Sequence, residues 1–465
     1  MLIKQIIRQL GNTKIRPVLA VKKIIPQKMK LDSPEFRSLF TPQLNTLSNL
    51  FKKNNYDLRI AGGAVRDLLM GIRPADVDFA TTATPTEMKE LFEREQIRML
   101  HKRGEEHGTI TCRIDDAENF EITTLRVDVV CDGRRAEVQY TTDWQLDANR
   151  RDLTINSLFL DLDGNVVDYF GGIGDIEKRR VAFVGDAVQR IQEDYLRILR
   201  YFRFFGRISE STEHDADTLK AIKDNSQGLA GISAERIWTE LKRIVIGRMA
   251  DHVIRCMLDE CKLQQYLGLP EKCNVDRFAR VFSKYEGGLE PMTMIASLCE
   301  SQKEIEQFHR KTKLSNAERI LGEFIISHRK EAEHALSSNN IDWWKDMIVE
   351  LEVTPGHDQS KLSGLVQVTQ LAKAVCASED LIKELESWIV PVFPVKGLDL
   401  MSAGVERGPK MKLTLTYLFE LWRKSRYEMA KEELLGHAHD EAIPDPAPTG
   451  RMPKKRRHQD SIKDN

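Results

Sequence analysis

Strand and helix signals are segregated along this chain, and that limits the fold more than any other feature. Between about Arg59 and Asp168, runs with period-two alternation recur between turns: RIAG, DVDFA, GTITCRI, NFEITTL, and LTINSLFL ahead of Asp163-Gly164. One helix interrupts them, where Thr84-Pro85-Thr86-Glu87 sets a capping box with proline at the first helical position before MKELFERE. Beyond Gly185 the period becomes helical and stays so to about Leu435. A mixed head followed by a long all-helical remainder is an α+β arrangement, and no internal repeat is visible.

At 465 residues the chain has room for roughly three domains of ~150 residues. Its 70 Lys and Arg against 71 Asp and Glu, a net charge of −1, exclude a uniformly basic nucleic-acid binder. The balance hides an asymmetry. The first residues carry Lys4, Arg8, Lys14, Arg16, Lys22, Lys23, Lys28 and Lys30 with no acid before Asp32, so the remainder is acidic and anion binding must come from local clusters. No apolar run approaches the ~18 residues that span a bilayer as a helix, and no membrane partner is expected. Seven cysteines without CxxC spacing point to neither a disulfide framework nor a zinc site, and fit a reducing compartment.

Met1–Lys30 combines its charges with Leu2, Ile3, Ile6, Ile7 and Leu10 at near-helical spacing, the pattern of a mitochondrial transit peptide apart from its lack of serine. Met29 offers a second translation start that would leave the leader off. At the other end PKKRRH, Pro453–His458, follows a proline-rich stretch and reads as a nuclear-localisation or nucleic-acid patch, or as a solvated basic tail.

The chemistry is concentrated in the head. Arg59-Ile60-Ala61 reads as a strand, Gly62-Gly63 as a tight turn and Ala64–Leu69 as a short helix. Adjacent glycines at a strand-to-helix junction let backbone N–H groups approach an anion, which Arg66 on the first turn can also reach. In Asp76-Val77-Asp78-Phe79, alternation turns Val77 and Phe79 to the core and puts Asp76 and Asp78 on the other face, ~6.6 Å apart along the strand. Two carboxylates so spaced can hold Mg²⁺ ions for in-line phosphoryl displacement. Two further D-x-D runs, Asp161/Asp163 and Asp215/Asp217, read as a hairpin turn and a helix start. Glu121, between Phe120 and Ile122, is a candidate third carboxylate on a neighbouring strand, or an edge residue facing water. Arg150-Arg151-Asp152, ahead of an expected strand Leu153–Leu160, offers bidentate donors for phosphate or forms a surface ion pair. A phosphate cradle beside a metal pair argues for nucleoside triphosphate chemistry.

The run Arg190–Arg203 reads as one amphipathic helix, with Ile191, Tyr195, Ile198, Phe202 and Phe205 as its core stripe and Glu193, Asp194, Arg197 and Arg200 opposite. Asp194 and Arg197, three apart, would be neighbours. They form either a salt-bridged exposed face or an acceptor beside a fork donor that complements a base edge. Cytosine and adenine present an amino donor next to an acceptor ring nitrogen, whereas uracil and guanine present the reverse order. An Asp–Arg pair would therefore accept C and A and reject U and G, at ~1–3 kcal/mol per bidentate contact, with no template strand.

Taken in order, GGAVRD with DVD, RRDLTIN, DYFGGIGDI, EDYLRILRYFRF and GISAERIWTELKRI resemble the five motifs of the class II tRNA nucleotidyltransferases, the CCA-adding enzymes. The resemblance spans roughly Leu31 to Leu269, and the layout is similar to the animal mitochondrial form. It implies a polymerase-β-like head and helical neck, body and tail domains in a seahorse shape. It also implies that C, C and A are added in turn to the 3′ end of tRNA from CTP and ATP, releasing pyrophosphate, with incomplete ends repaired. The resemblance implies that Asp76 and Asp78 bind Mg²⁺ and that Gly63 and Arg66 meet the triphosphate, with Gly62 shaping the turn. Arg151 would contact the nucleotide and Asp152 its ribose. Asp194 and Arg197 would read the base, Glu193 would orient Arg197, and Arg200 and Arg203 would complete the site. The segment between Arg126 and Trp144, with its Asp132-Gly133 turn, falls where the family has a flexible loop, and Asp168 with Gly171-Gly172 falls at a hinge-like motif.

The expected domains are a transit peptide 1–30, a head 31–170, a neck 171–232 with the nucleotide-selecting helix, a body 233–300, a tRNA-binding tail 301–440 and a disordered basic tail 441–465. Lys242, Arg243, Arg423, Lys424 and Arg426 are candidate tRNA contacts on the helical arm. A monomer or homodimer in the mitochondrial matrix is expected, with a cytoplasmic or nuclear pool if translation starts at Met29. A bacterial-type poly(A) polymerase, a non-catalytic tRNA-binding protein and a small-molecule nucleotidyltransferase are the alternatives.

Overall fold

The computed structural model describes residues 23–100, 105, 107–129, 137–354 and 362–445. The chain divides into two compact units, Met1–Leu314 and Ser315–Asn465. Residues 1–22 of the expected leader, the Asp132-Gly133 turn and the PKKRRH run lie outside the described residues.

The first unit opens with an eight-stranded sheet in the order β1-β10-β9-β2-β3-β6-β5-β4. Its strands are β1 (Gln27–Lys30), β2 (Leu58–Ala61), β3 (Asp78–Thr81), β4 (Arg98–Leu100), β5 (Thr109–Ile114), β6 (Glu118–Thr124), β9 (Phe159–Asp161) and β10 (Asn165–Asp168). The pair β3–β6 is parallel and the other neighbours are antiparallel, so the sheet is mixed. At the two ends of the segment expected to be a flexible loop, β7 (Arg126–Val129) and β8 (Glu137–Tyr140) pair antiparallel as a separate two-stranded sheet. Alternation works as anticipated in β5 and β6, where Ile110, Cys112, Ile114, Phe120 and Ile122 are buried.

Helices α1 (Pro34–Arg37), α2 (Pro42–Lys53), α3 (Gly63–Leu69), α4 (Pro85–Arg94), α5 (Trp144–Arg150) and α6 (Gly172–Glu177) accompany this sheet. The Thr84–Glu87 capping box forms, and α4 buries Met88, Leu91 and Phe92. Asp161 accepts from the N–H groups of Asp163 and Asn165, and Asp215 caps a helix start through Thr218 N–H, so both D-x-D runs are the turn and cap they resembled.

Four local expectations fail for physical reasons. Asp76 lies in a bend before β3, because the partner strand β2 turns away at Gly62. Leu153–Leu160 is not one strand: Thr154–Asn156 forms a 3₁₀ turn and only Phe159–Asp161 joins the sheet. The Thr154 hydroxyl donates to Asp175 at 2.5 Å and Ser157 donates back to the Thr154 carbonyl, bonds that compete with a ladder. Arg190–Arg203 is two helices, α7 (Ala187–Glu193) and α8 (Arg197–Ile208), broken at an extended Asp194 with φ −153°. The Asp194 carboxylate accepts from Leu196 N–H at 3.1 Å, turning the chain there. Finally, Gln27–Lys30, assigned to the leader, is the sheet's edge strand, paired with β10.

Gly172 begins α6 where a Cβ would sit 2.3 Å from the Thr154 carbonyl oxygen, a backbone atom that cannot give way. Gly172 is thus tightly packed while Gly171 stands in open space at φ +79°, and Asp168 accepts from Phe170 and Ile173 N–H, both at 2.9 Å. Gly172→Ala is expected to destabilise the protein by about 1–3 kcal/mol in denaturant unfolding. Gly174→Ala, with open space around it, should be neutral or slightly stabilising.

Beyond α8, helices α9 (Ala216–Asn225), α10 (Ala234–Val245) and α11 (Ala250–Arg255) continue the first unit, and α8 packs against α10 and α11. Ile191, Ile198, Phe202 and Phe205 are buried as the stripe predicted, while Tyr195 is half-buried against Gly228. The second unit starts with a Ser315–Glu318 capping box on a helix spanning Asn316–Ser337. Its core gathers Phe393, Leu400, Leu418, Phe419, Trp422 and Leu434. No described helix is long and apolar enough to cross a membrane.

Candidate active site

The site begins where β2 runs into Gly62, whose φ of +67° favours glycine, and α3 starts at Gly63. A Cβ on Gly62 would lie 2.9 Å from Arg151 Nη1, so the turn and that guanidinium share one edge of the cleft. Arg66 is 3% exposed, donating to Asn156 Oδ1 at 2.6 Å and, through Nε and Nη2, to Asp67 Oδ1 at 2.9 and 2.8 Å. Burial lowers its pKa, and the Asp67 charge opposes that shift.

In register, β3 sets Asp78 directly beside Glu121 of β6. Burial raises the Asp78 pKa and Asp76 adds to it, while Arg151 pulls it down. Glu121 is raised by burial and then by Asp78 and Asp76. Asp78 and Glu121, both raised by burial and by neighbouring carboxylate charge, are an electrostatic demand for a cation.

The opposite wall is a row of arginines on α8, each held by an acid from a different place. Arg197 donates to Glu193 Oε2 at 2.8 Å, to the Arg190 carbonyl at 3.0 Å and to the Arg150 carbonyl at 2.8 Å. Arg200 donates to Asp152 at 2.6 Å, Arg203 pairs with Glu240 at 3.1 Å, and Arg207 pairs with Asp67 at 3.0 Å. Burial alone would raise the Asp152 carboxyl, yet Arg200 holds it below its usual range. Burial brings Arg203 down to about 10, against the pull of Glu240. Asp194 is held by Arg236 at 2.6 Å and is not the helical neighbour of Arg197 that an unbroken helix would make it.

Of the anticipated site residues, Gly62, Gly63, Arg66, Asp78, Glu121, Arg151, Asp152, Asp194, Arg197, Arg200 and Arg203 line one cleft of about 630 Å³. Asp76 sits outside that lining, in its bend, and Glu193 stands behind Arg197. Such a cleft can bind a triphosphate at the glycine turn, a divalent ion at the carboxylates and a base against α8.

Residues 58–182 match the Poly A polymerase head domain family, and residues 214–271 match a probable RNA and SrmB-binding site of polymerase A. The chain is 49% identical to CCA tRNA nucleotidyltransferase 1, mitochondrial, of Homo sapiens, over 88% of this chain and 92% of that protein. The chain belongs to the CCA tRNA nucleotidyltransferase family. The Danio rerio member is 47% identical over 88% of this chain and 93% of its own. Among solved structures, the Bacillus stearothermophilus CCA-adding enzyme in complex with CTP shares the fold, with a TM-score of 0.66 at 24% identity over 88% of this chain and 97% of that one. The Thermotoga maritima CCA-adding enzyme complexed with tRNA_CCA has a TM-score of 0.61 at 17% identity, covering 90% and 99%.

For a CCA tRNA nucleotidyltransferase, a divalent ion fits the donor set here, because Asp76, Asp78 and Glu121 supply only hard oxygens. Among the described residues no three His, Cys, Asp or Glu side chains form a ready-made metal cage. A bound ion would complete its shell with water and triphosphate oxygens, as small hard cations do.

Asp147, Arg126 and Arg207 also line the cleft and Glu240 pairs with Arg203, roles that the motifs do not mark. Arg207 extends the spacing Arg197, Arg200, Arg203 by one more turn, and Asp147 stands four before Arg151 on a helix; both signals were available. Of the candidate tRNA contacts on the helical arm, Lys242 lies over the Trp238 ring and two arginines form ion pairs. Arg426 pairs with Asp342 at 2.5 Å and Asp346 at 2.7 Å, and Arg423 with Glu420 at 3.3 Å.

Proposed function

We propose that the chain adds C, C and A in succession to the 3′ end of tRNA from CTP and ATP, releases pyrophosphate and restores incomplete CCA ends, without a template strand. The observation that carries this reading is the single cleft in which a glycine-turn cradle and a carboxylate strand face Asp194 and Arg197. Gly62, Gly63, Arg66 and Arg151 receive the triphosphate, and Asp152, Arg200 and Arg203 complete the nucleotide site. Asp76 and Asp78 hold Mg²⁺, with Glu121 the third carboxylate beside them. Bound there, Mg²⁺ would neutralise triphosphate charge and make the tRNA 3′-hydroxyl easier to deprotonate. Asp194 accepts the exocyclic amino group of C or A, and Arg197, oriented by Glu193, donates to the adjacent ring nitrogen. Uracil and guanine would set donor against donor.

A proton and Mg²⁺ compete for the same oxygens. Since burial and neighbouring charge hold Asp78 and Glu121 above the ordinary carboxylate range, protonation sets in at a higher pH than for a free carboxylate. The Mg²⁺ concentration giving half-maximal rate is therefore expected to rise as pH is lowered from neutrality. A requirement constant down to the ordinary carboxylate range would contradict the assignment.

The neck 171–232 presents the selecting helix, and the body 233–300 and tail 301–440 hold tRNA, with Lys242, Arg243, Arg423, Lys424 and Arg426 as its basic contacts. The protein acts in the mitochondrial matrix, in keeping with relatives named mitochondrial. A product begun at Met29 would keep every site residue and lose only Gln27 and Lys28 of β1, so a cytoplasmic or nuclear pool could be active. The test is extension of tRNA lacking its CCA with each labelled nucleotide. C, C, then A, then arrest is expected; a long A tail or no incorporation would overturn the proposal.

A further inference from the structure

We infer that Asp147 is a positioning residue for nucleotide binding and choice, a role that rests on the function proposed above. Asp147 lies on α5 and is 1% exposed. Its Oδ1 accepts from Arg150 Nε at 2.8 Å and from the backbone N–H of Arg126 at 3.2 Å. Its Oδ2 accepts from Arg151 Nε at 3.1 Å and Nη2 at 3.0 Å. One carboxylate thus gathers the first residue of β7 and both arginines of the RRD run.

Burial by itself would push the Asp147 carboxyl up, but the charges of Arg151 and Arg150 hold it below its usual range. It is therefore ionised at neutral pH, and with both oxygens engaged by protein donors it acts through those arginines. The Arg151 guanidinium is directed across the Gly62 turn, with Nη1 on the Asn156 carbonyl at 3.2 Å and its plane over Phe159 at 5.0 Å. Fixing Arg150 also fixes its carbonyl, which accepts from Arg197 Nη2 at 2.8 Å. Asp147 accordingly sets the phosphate donor directly, and the base-reading guanidinium through a peptide carbonyl. A part confined to fold stability would not touch both.

The test is D147N in the full-length enzyme, which keeps the shape and an acceptor for Arg126 N–H but removes the charge. The KM for CTP is expected to rise about tenfold or more, as is UTP incorporation relative to CTP, since hydrogen bonds to a charged group are lost. A lowered melting temperature with unchanged KM and unchanged UTP:CTP ratio in the folded enzyme would overturn the role. Should D147N not fold, D147E decides alone. Its charge, displaced by one methylene, should raise both quantities several-fold, and wild-type values would overturn the role. Wild-type enzyme that neither binds CTP nor extends tRNA would refute the function itself, and this role with it.

Discussion

Asp78→Ala is expected to lower kcat for nucleotide addition by about a thousandfold or more, equivalent to ~4 kcal/mol of lost transition-state stabilisation. The carboxylate stands at the first position of β3, in register with Glu121 and flanked by Asp76. On the proposed reading its removal takes an oxygen donor from the bound ion, and it also removes a charge that raises Glu121. The substitution costs the fold little, because Asp78 opens onto the cleft, whose walls screen it from bulk water, and the packing of β3 rests on Phe79, Ala80 and Thr81. On the proposed reading tRNA is held by the helical arm, so its affinity should change less than about twofold. Filter binding and single-turnover kinetics on the same preparation separate the two quantities. Near-normal turnover would remove the metal assignment.

Arg197→Ala should relax base choice by about ten- to a hundredfold, the worth of one bidentate contact. Three acceptors preset this guanidinium: Glu193, the Arg190 carbonyl and the Arg150 carbonyl. Little freedom is lost when a base arrives, and a wrong base cannot swing the donor aside. Its removal does not strand a buried charge, since Glu193 keeps Arg190 at 2.7 Å. The mutant should fold, hold tRNA normally and accept UTP more readily against CTP in competition assays. Unaltered fidelity would refute the template role of α8.

Much of this was readable from the chain because the glycine turn, the capping box and the α8 arginines are local patterns. The rest depended on tertiary partners that period alone does not carry. Glu121 is exposed, and only the parallel pairing of β3 with β6 shows that it also stands beside Asp78. The break at Asp194 was invisible to a 100° projection, which assumes continuity; an Asp that can bond its own downstream N–H was the missed clue. All four residues of β1 are exposed, so it shows no alternation, and its charge made it resemble the leader. Arg203 and Glu240 meet only because α10 packs on α8.

Protein side chains, and not a template strand, are expected to choose the incoming base. A crystal structure with CTP bound and turnover blocked decides it. The cytosine amino group is expected within hydrogen-bond distance of the Asp194 carboxylate, with the neighbouring ring atoms on Arg197. A pyrimidine lying away from the start of α8 would contradict it.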